Sequence, residues 1–599
     1  MTGHLDLIMF AALMAAVLSG FPVAFSIAGT AVIFAYIGWL SGAMDISLLG
    51  ALGQRIFGLI SNQVLIAIPV FIFMGTILER SKVAEHLLDT MGRLFGGLRG
   101  GLGISVVIVG ALLAASTGVV GATVVTMGLI ALPTMRRAGY SKSFASGIVC
   151  TAGTLGQIIP PSTLLIILSD VMSNAFQQAQ YTRGEFTVEA LSVGQFFAAA
   201  LLPGLVLVLL YLTYVLFRAT LFPSDAPPLP SGRNPSIKDV LTAVFPPIAL
   251  IAAVLGSILG GVATPTEAAS VGAAGALIMA GARVGANRTC LFSGAVALIL
   301  VLLMAGVFPV RLQRETVETE AVLLGGLYAL LVFLGLIAVL ASAWAAFRSG
   351  MLRNAAASTM AMTTMIFATI LAASFFSLVF VGLGGEDRVA GILARLPGGS
   401  TGALFFTMVF LFVLGFFLDF VEIAVIVLPL VVPQLIVMGH DPVWLGILIA
   451  INLQTSFLTP PFGFSLFYLR GAAPKDIATV DIYWGFCHLS RCRSSEWFSS
   501  GRFPFFRHGC PNSCSEALSR PRPDEPVEDC GNRRAGRREI HYVYPDGDGH
   551  RIPWGSVGVA GGAVDRVHPD TVLSRTAGIV TAVTPMNTRR TDAAYDRNH

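Results

Sequence analysis

Charge is what this sequence has least of. Only 12% of its 599 residues are Asp, Glu, Lys or Arg, about half the share of a soluble protein, while 55% are hydrophobic and the mean hydropathy is +0.77. A chain with so little to offer water is predicted to be a polytopic membrane protein. Its net charge of +4 is small and dispersed, and no basic run interleaves with aromatics, so no nucleic acid is expected as a partner. Cysteine is scarce where the apolar sequence lies: of seven, only Cys150 and Cys290 precede residue 486, which excludes a disulfide framework there. Hydrolysis and ATP-driven chemistry lack visible machinery, because His-Glu-x-x-His, Gly-x-Ser-x-Gly and Gly-Lys-Ser/Thr motifs are all missing. No small-residue cleavage site follows the first apolar run, so Leu5 to Leu18 reads as a retained membrane segment.

Two interruptions in the apolar sequence organise the rest. Polar, glycine-bearing residues break it at Ala115 to Thr123 and at Gly153 to Ser162. Ahead of the first break, Gly103 to Ala115 offers 13 apolar or small residues. At about 1.5 Å each these span roughly 20 Å, short of a hydrocarbon core of about 30 Å. Val124 to Met135 behind the break is equally short. Arg93 and Arg99 precede the pair and Arg136, Arg137 and Lys142 follow it, which predicts a re-entrant hairpin over about 103–135 with both ends on one basic side. An interrupted helix follows over about 143–172.

The same pattern returns 300 residues later. Pro133 meets Pro433, Gly139 meets Gly439 and Pro160-Pro161 meets Pro460-Pro461, predicting a second hairpin over about 402–436 and a second broken helix over about 443–469. The second hairpin lacks the basic flanks, so the two units are expected in opposite orientation. Apolar runs near 4–20, 21–40, 62–78, 195–217, 241–260, 266–281, 289–310, 321–346 and 355–381 complete an all-α architecture. Residues 1–221 form the first half, 222–240 a proline-rich connector and 241–484 the second half. The second half holds a surplus helical pair near 289–346, an even insertion that preserves the inversion. Inverted repeats with broken helices are the pattern of a secondary transporter.

From residue 485 to 599 the character changes: sixteen arginines, no lysine, five cysteines, six of nine histidines and no run long enough to span. Either an out-of-frame reading of a GC-rich gene or a disordered extramembrane tail accounts for this composition. Resequencing around the codons for Tyr483 to Phe486 separates the two. The tail's His508, Cys510 and Cys514 have no paired partner set with metal-site spacing.

Four spaced motifs carry a family resemblance: Ala67 to Gly75 (AIPVFIFMG), Thr151 to Ser162 (TAGTLGQIIPPS), Gly260 to Ala269 (GGVATPTEAA) and Asn452 to Gly463 (NLQTSFLTPPFG). Over about residues 5–483 the sequence resembles the large membrane subunit of tripartite ATP-independent periplasmic (TRAP) transporters. The insertion and Phe417 to Glu422 are similar to the branch labelled for mannitol or chloroaromatic compounds. The resemblance implies an elevator-type, sodium-driven importer of a small organic anion in a bacterial inner membrane. It also implies a small four-helix membrane subunit and a periplasmic substrate-binding protein as partners. The family pattern carries one more membrane helix after Tyr483, and this sequence has none there. Alternatives are a stand-alone dicarboxylate carrier, or an inactive product with a frameshifted C-terminus.

The candidate site follows from what a broken membrane helix exposes. Pro160, Pro161, Pro460 and Pro461 donate no backbone hydrogen bond, which frees carbonyls for sodium near Leu155 to Ile158 and Thr455 to Leu458. Gly118, Gly121 and Gly156 permit close approach, and Ser116, Thr117, Thr123, Thr154 and Ser162 offer hydroxyls. Gln454, Thr455, Ser456 and Thr459 take the comparable part in the second unit. Small residues in membrane helices also serve plain packing, and it is the duplication of the cluster that favours a binding role. Asp419 and Glu422 are expected to be ion or proton ligands, because acids at membrane depth are costly. Glu267 is expected to cap a helix instead.

Overall fold

The computed structural model describes residues 4–118, 120–185, 189–229, 235–307, 319–459 and 463–485, with no side chain described at 114, 116, 117, 306, 307 and 319–322. The whole of 486–599, including His508, Cys510 and Cys514, lies outside them. Every regular element among the described residues is helical. In lipid this is dictated by the backbone, whose N–H and C=O groups find partners only within the segment itself.

The chain opens with α1 (Leu5–Leu18), α2 (Val23–Leu40), a short α3 (Ala51–Ile60), α4 (Gln63–Arg80) and α5 (Val83–Phe95). The first hairpin is α6 (Gly101–Thr117) with α7 (Val120–Arg137), and the first broken helix is α8 (Lys142–Thr154) with α9 (Thr163–Arg183). Six longer helices follow: α10 (Val193–Leu221), α11 (Ile237–Leu259), α12 (Pro265–Val284), α13 (Arg288–Val307), α14 (Thr319–Arg348) and α15 (Met351–Gly382). The last are α16 (Gly385–Arg395), α17 (Gly399–Leu414), α18 (Phe420–Glu422), α19 (Leu428–Val437), α20 (Pro442–Leu458) and α21 (Phe464–Ala472). Among the described residues eight helices are long and apolar enough to cross a membrane.

The 300-residue register is visible in the helix ends. Val120 and Arg137 bound α7 where Phe420 and Val437 bound the α18–α19 limb; α8 begins at Lys142 and α20 at Pro442. Both hairpins are preceded by an amphipathic helix, α5 or α16, which the apolar runs did not reveal. On α5, Val83, Leu87, Leu88 and Met91 are buried while Asp89 pairs with Arg93 on the exposed side at 2.7 Å. α16 turns by 117° into α17 and is tied down by an ion pair between Arg388 and the buried Asp6 of α1.

The packing crosses between the repeats. α21, which trails the second break, shares a core with α5 to α8 through Leu466 and Leu469. α9, which trails the first break, packs on α19 in a core that also holds α2, α4, α12 and α15. Side-chain burial gives no advantage over lipid tails here, so close contact between small residues does the holding. A Cβ at Gly110 would stand 2.6 Å from that of Ala152, and one at Gly281 would stand 2.6 Å from Ser342 Oγ. The latter contact seats α14 on α12. The connector is not a free linker: Gly100 N–H donates to the Ala226 carbonyl at 3.1 Å and Leu229 N–H to that of Gly96 at 2.8 Å. Arg218 grips Asp225 at 2.7 Å, so residues 222–229 lie against the mouth of the first hairpin.

Candidate functional site at two interrupted helices

The first interruption is narrower than its composition suggests. Ala115 to Thr117 and Gly121 to Thr123 are helical, and α7 is 18 residues long. At about 1.5 Å per residue that is roughly 27 Å, more than the 12 residues from Val124 supply. Gly118 turns the chain at φ +62°, a value an L side chain resists, and its carbonyl accepts from Thr163 Oγ1 at 2.9 Å. The hairpin tip is thereby fastened to the first turn of α9. Gly121 faces the ring of Tyr468 on α21, where an added Cβ would come to 2.9 Å. Ser116 and Thr117 side chains lie outside the described residues, and Thr123 is buried.

At the first break the chain tightens into a 3-10 turn over Leu155–Gln157, then runs through a cis Pro160-Pro161 bond. The expectation of free carbonyls from Leu155 to Ile158 does not hold at Leu155 itself. Its carbonyl accepts from Ile158 and Ile159 N–H at 3.2 and 3.0 Å, because the tighter turn supplies donors that the prolines withhold. The carbonyl that needs help is Gln157, and it takes the hydroxyl of Ser162 at 3.0 Å. Thr154, fully buried, spends its hydroxyl proton on the Thr151 carbonyl at 2.9 Å, and Gly156 is buried in the turn.

The second break repeats the device at the matching residue. Phe457, 300 positions after Gln157, has its carbonyl capped by Ser465 Oγ at 2.7 Å. Both serines sit beyond the diproline and reach back across it. Each capped carbonyl retains a second lone pair and each hydroxyl oxygen can still accept, so both spots keep oxygen ligands free for a cation. The Thr455 carbonyl accepts from Thr459 Oγ1 at 2.8 Å, and Thr455 itself is exposed. Ser456 is a packing tie: it donates to the Phe412 carbonyl at 2.6 Å, one turn beyond the bond from Asn452 to Met408 at 2.8 Å. Pro460 and Pro461 lie outside the described residues.

Two buried amides beside these turns have polar atoms without protein partners. Gln454 is 2% exposed with neither Oε1 nor Nε2 hydrogen-bonded, and Gln157, also 2% exposed, leaves its Oε1 unpaired. A buried unpaired amide costs about 1–3 kcal/mol, so such a pair marks a place where something else supplies the contact. Gln157 was not among the residues singled out from the sequence. Its signal was there: a lone amide in an apolar run next to a diproline.

Asp419 and Glu422 sit at the second hairpin tip. They form a capping box: Asp419 Oδ1 accepts from Phe420 N–H at 2.8 Å, and Glu422 Oε2 accepts from Asp419 N–H at 3.0 Å. Half-buried, both carboxyls lie within electrostatic range of the Tyr468 phenol. Tyr468 thus touches the first tip at Gly121. Behind the box, residues Ile423–Val427 form a π turn where Pro429, having no N–H, cannot supply the α-helical bond to the Val425 carbonyl. Glu267 closes a separate box with Thr264, whose N–H donates to it at 2.8 Å, and serves α12 alone.

The family model described as "Tripartite ATP-independent periplasmic transporter, DctM component" matches residues 7–290 and 284–489. A C4-dicarboxylate TRAP transporter large permease protein of Vibrio cholerae is 28% identical over 467 residues, 77% of this chain and 88% of the relative. Its namesake in Pseudomonas aeruginosa is 29% identical over 439 residues, covering 72% and 83%. An ectoine/5-hydroxyectoine TRAP transporter large permease protein of Ruegeria pomeroyi is 25% identical over 472 residues, covering 79% and 91%. The chain belongs to the DctM component family of tripartite ATP-independent periplasmic transporters, and is an inner-membrane permease subunit rather than an enzyme.

Proposed function

We propose that this subunit imports a small organic anion against its gradient by drawing on a sodium gradient, and that the two repeats lie inverted in the membrane. The unit that moves comprises both hairpins and both broken helices, and slides against a scaffold built around α4, α12 and α15. A periplasmic binding protein delivers the anion, and a small four-helix membrane subunit completes the assembly. What supports these two partners is the family description, a component of a tripartite periplasmic transporter, and relatives called large permease proteins.

One observation carries the sodium reading: carbonyls 300 residues apart, at Gln157 and Phe457, are each held by a serine hydroxyl from beyond the break, with an orphaned amide close in sequence. Sodium takes several neutral oxygens at short range, and these turns gather carbonyl and hydroxyl oxygens without a compensating charge. The tips divide the remaining work by charge. The first tip, residues 115–123, carries no carboxylate of its own, Glu79 of α4 meeting Thr126 farther along α7, which suits an incoming anion, whereas Asp419 and Glu422 load the second tip with negative charge and suit a cation. The test is uptake of radiolabelled succinate into proteoliposomes holding this chain with both partners. A sodium gradient is expected to drive accumulation that a potassium gradient of equal size does not; equal uptake under both removes sodium from the account.

A further inference from the structure

A cavity of about 200 Å³ lies away from the breaks, between α3 and α15 on one side and α9 and α19 on the other. It is walled by Leu59, Leu65, Ile167, Ile370 and Val425, with polar groups converging from Arg55, Asp170, Asn174, Ser374 and Ser377. The space is smaller than the roughly 300–1,000 Å³ that drug-sized ligands occupy, and fits a metabolite of a few carbons. Its charges are unevenly committed. Asp170 accepts from Asn62 Nδ2 at 2.8 Å and from Asn174 Nδ2 at 3.5 Å, so its oxygens are already engaged. Arg55 has no acidic group within 4.0 Å among the described residues. A guanidinium left over in a partly apolar cavity is a carboxylate receptor by chemistry, since its planar fork matches two carboxylate oxygens.

The position adds direction. α9 runs away from the break at Thr163 and ends at Arg183, on the side opposite to the basic mouth of the first hairpin, if the first hairpin opens to the cytoplasm. The cavity, lined by Ile167 to Gln178 of that helix, then belongs to the outer half, where substrate arrives. Its walls come from both the proposed moving unit and the scaffold, so a sliding motion changes its shape. We propose that this cavity is an entry station for the substrate, in which Arg55 pairs with a carboxylate before the anion reaches the hairpin tips, while Ser374 and Ser377 donate to it from α15. The assignment rests on the organic-anion reading above.

Binding to the detergent-purified full chain separates the two ideas, because it requires no transport. Succinate is expected to raise the melting temperature of the wild type relative to chloride at matched sodium and ionic strength, while the uncharged succinamide does not. Arg55→Ala loses that shift, and Arg55→Lys keeps part of it, since the charge remains but the fork is gone. In proteoliposomes Arg55→Ala is expected to raise the KM for succinate about tenfold with Vmax little changed, the signature of lost binding without lost chemistry. Full succinate stabilisation in Arg55→Ala, or equal stabilisation of the wild type by succinamide, overturns the station. Wild type that binds succinate through Arg55 yet shows no sodium-driven uptake overturns the transport reading and leaves the station standing.

Discussion

The two repeats share a register but not a way of holding together. In the first, α6 and α8 meet backbone to backbone at Gly110 and Ala152, and Gly153 admits Val124 of α7. In the second, the equivalent helices α17 and α20 are bonded instead, Asn452 to the Met408 carbonyl and Ser456 to that of Phe412. The positions matching Asn452 and Ser456 in the first repeat are Ala152 and Gly156, so one unit gains proximity where the other gains hydrogen bonds. The tips differ as well. Leu129 stands in an unbroken α7 where Pro429 forces a π turn, and carboxylates are confined to the second. Duplication therefore preserved the serine-capped carbonyl ahead of each diproline while the surroundings diverged, as expected if the matched Gln157 and Phe457 carbonyls carry the shared task.

Substitutions can break that comparison in graded steps. The largest effect is expected from Thr154→Leu with Gly156→Leu. Both residues are buried at the turn, and displacing it should reduce sodium-driven uptake about a hundredfold, measured at equal membrane content. Next is the contrast in packing. Gly110→Leu should cost about 2–3 kcal/mol in detergent unfolding, because no space exists for the side chain, whereas Ser456→Ala should cost about 1 kcal/mol. Equal losses would erase the distinction between a close-packed repeat and a bonded one. Ser162→Ala and Ser465→Ala should each cost about 1 kcal/mol and raise half-saturating sodium to a similar degree. A shift from only one of them would mean that the breaks are not equivalent in function. Asp419→Ala should lose about 1 kcal/mol of capping, and Asp419→Asn should restore most of it. A sodium response that stays impaired in Asp419→Asn assigns the charge, rather than the cap, to the ion. The smallest effect is expected from Gln454→Leu, near neutral for unfolding because its amide has no protein partner to lose, yet visible in sodium dependence.

Much of this architecture could be read from residues alone, because glycine, proline and length constrain a chain in lipid more tightly than in water. Prolines in register at 133 and 433 and at 160 and 460 located the repeat, and Thr264 with Glu267 announced a helix start. What stayed hidden depended on contacts between distant segments. No local pattern says that α9 will join the second hairpin and α21 the first, since in each case one apolar helix meets another. The amphipathic α5 and α16 escaped because their buried stripes are interrupted by charges such as Asp89 and Arg388, which lower the apolar average. Within the expected stretch from Leu155 to Ile158 the carbonyl left over is that of Gln157, because a 3-10 turn, which sequence does not announce, re-paired Leu155 and passed the deficit along the chain.

The inversion of the repeats can be tested most directly at the hairpin mouths. In a background with the seven cysteines replaced by serine, Leu98→Cys and Thr401→Cys place single thiols at exposed positions, just before α6 and in the first turn of α17. A membrane-impermeant maleimide applied to sealed right-side-out vesicles should label Thr401→Cys and spare Leu98→Cys, with the reverse in inside-out vesicles. Labelling of both from the same side would contradict the inverted arrangement on which the paired ion sites depend.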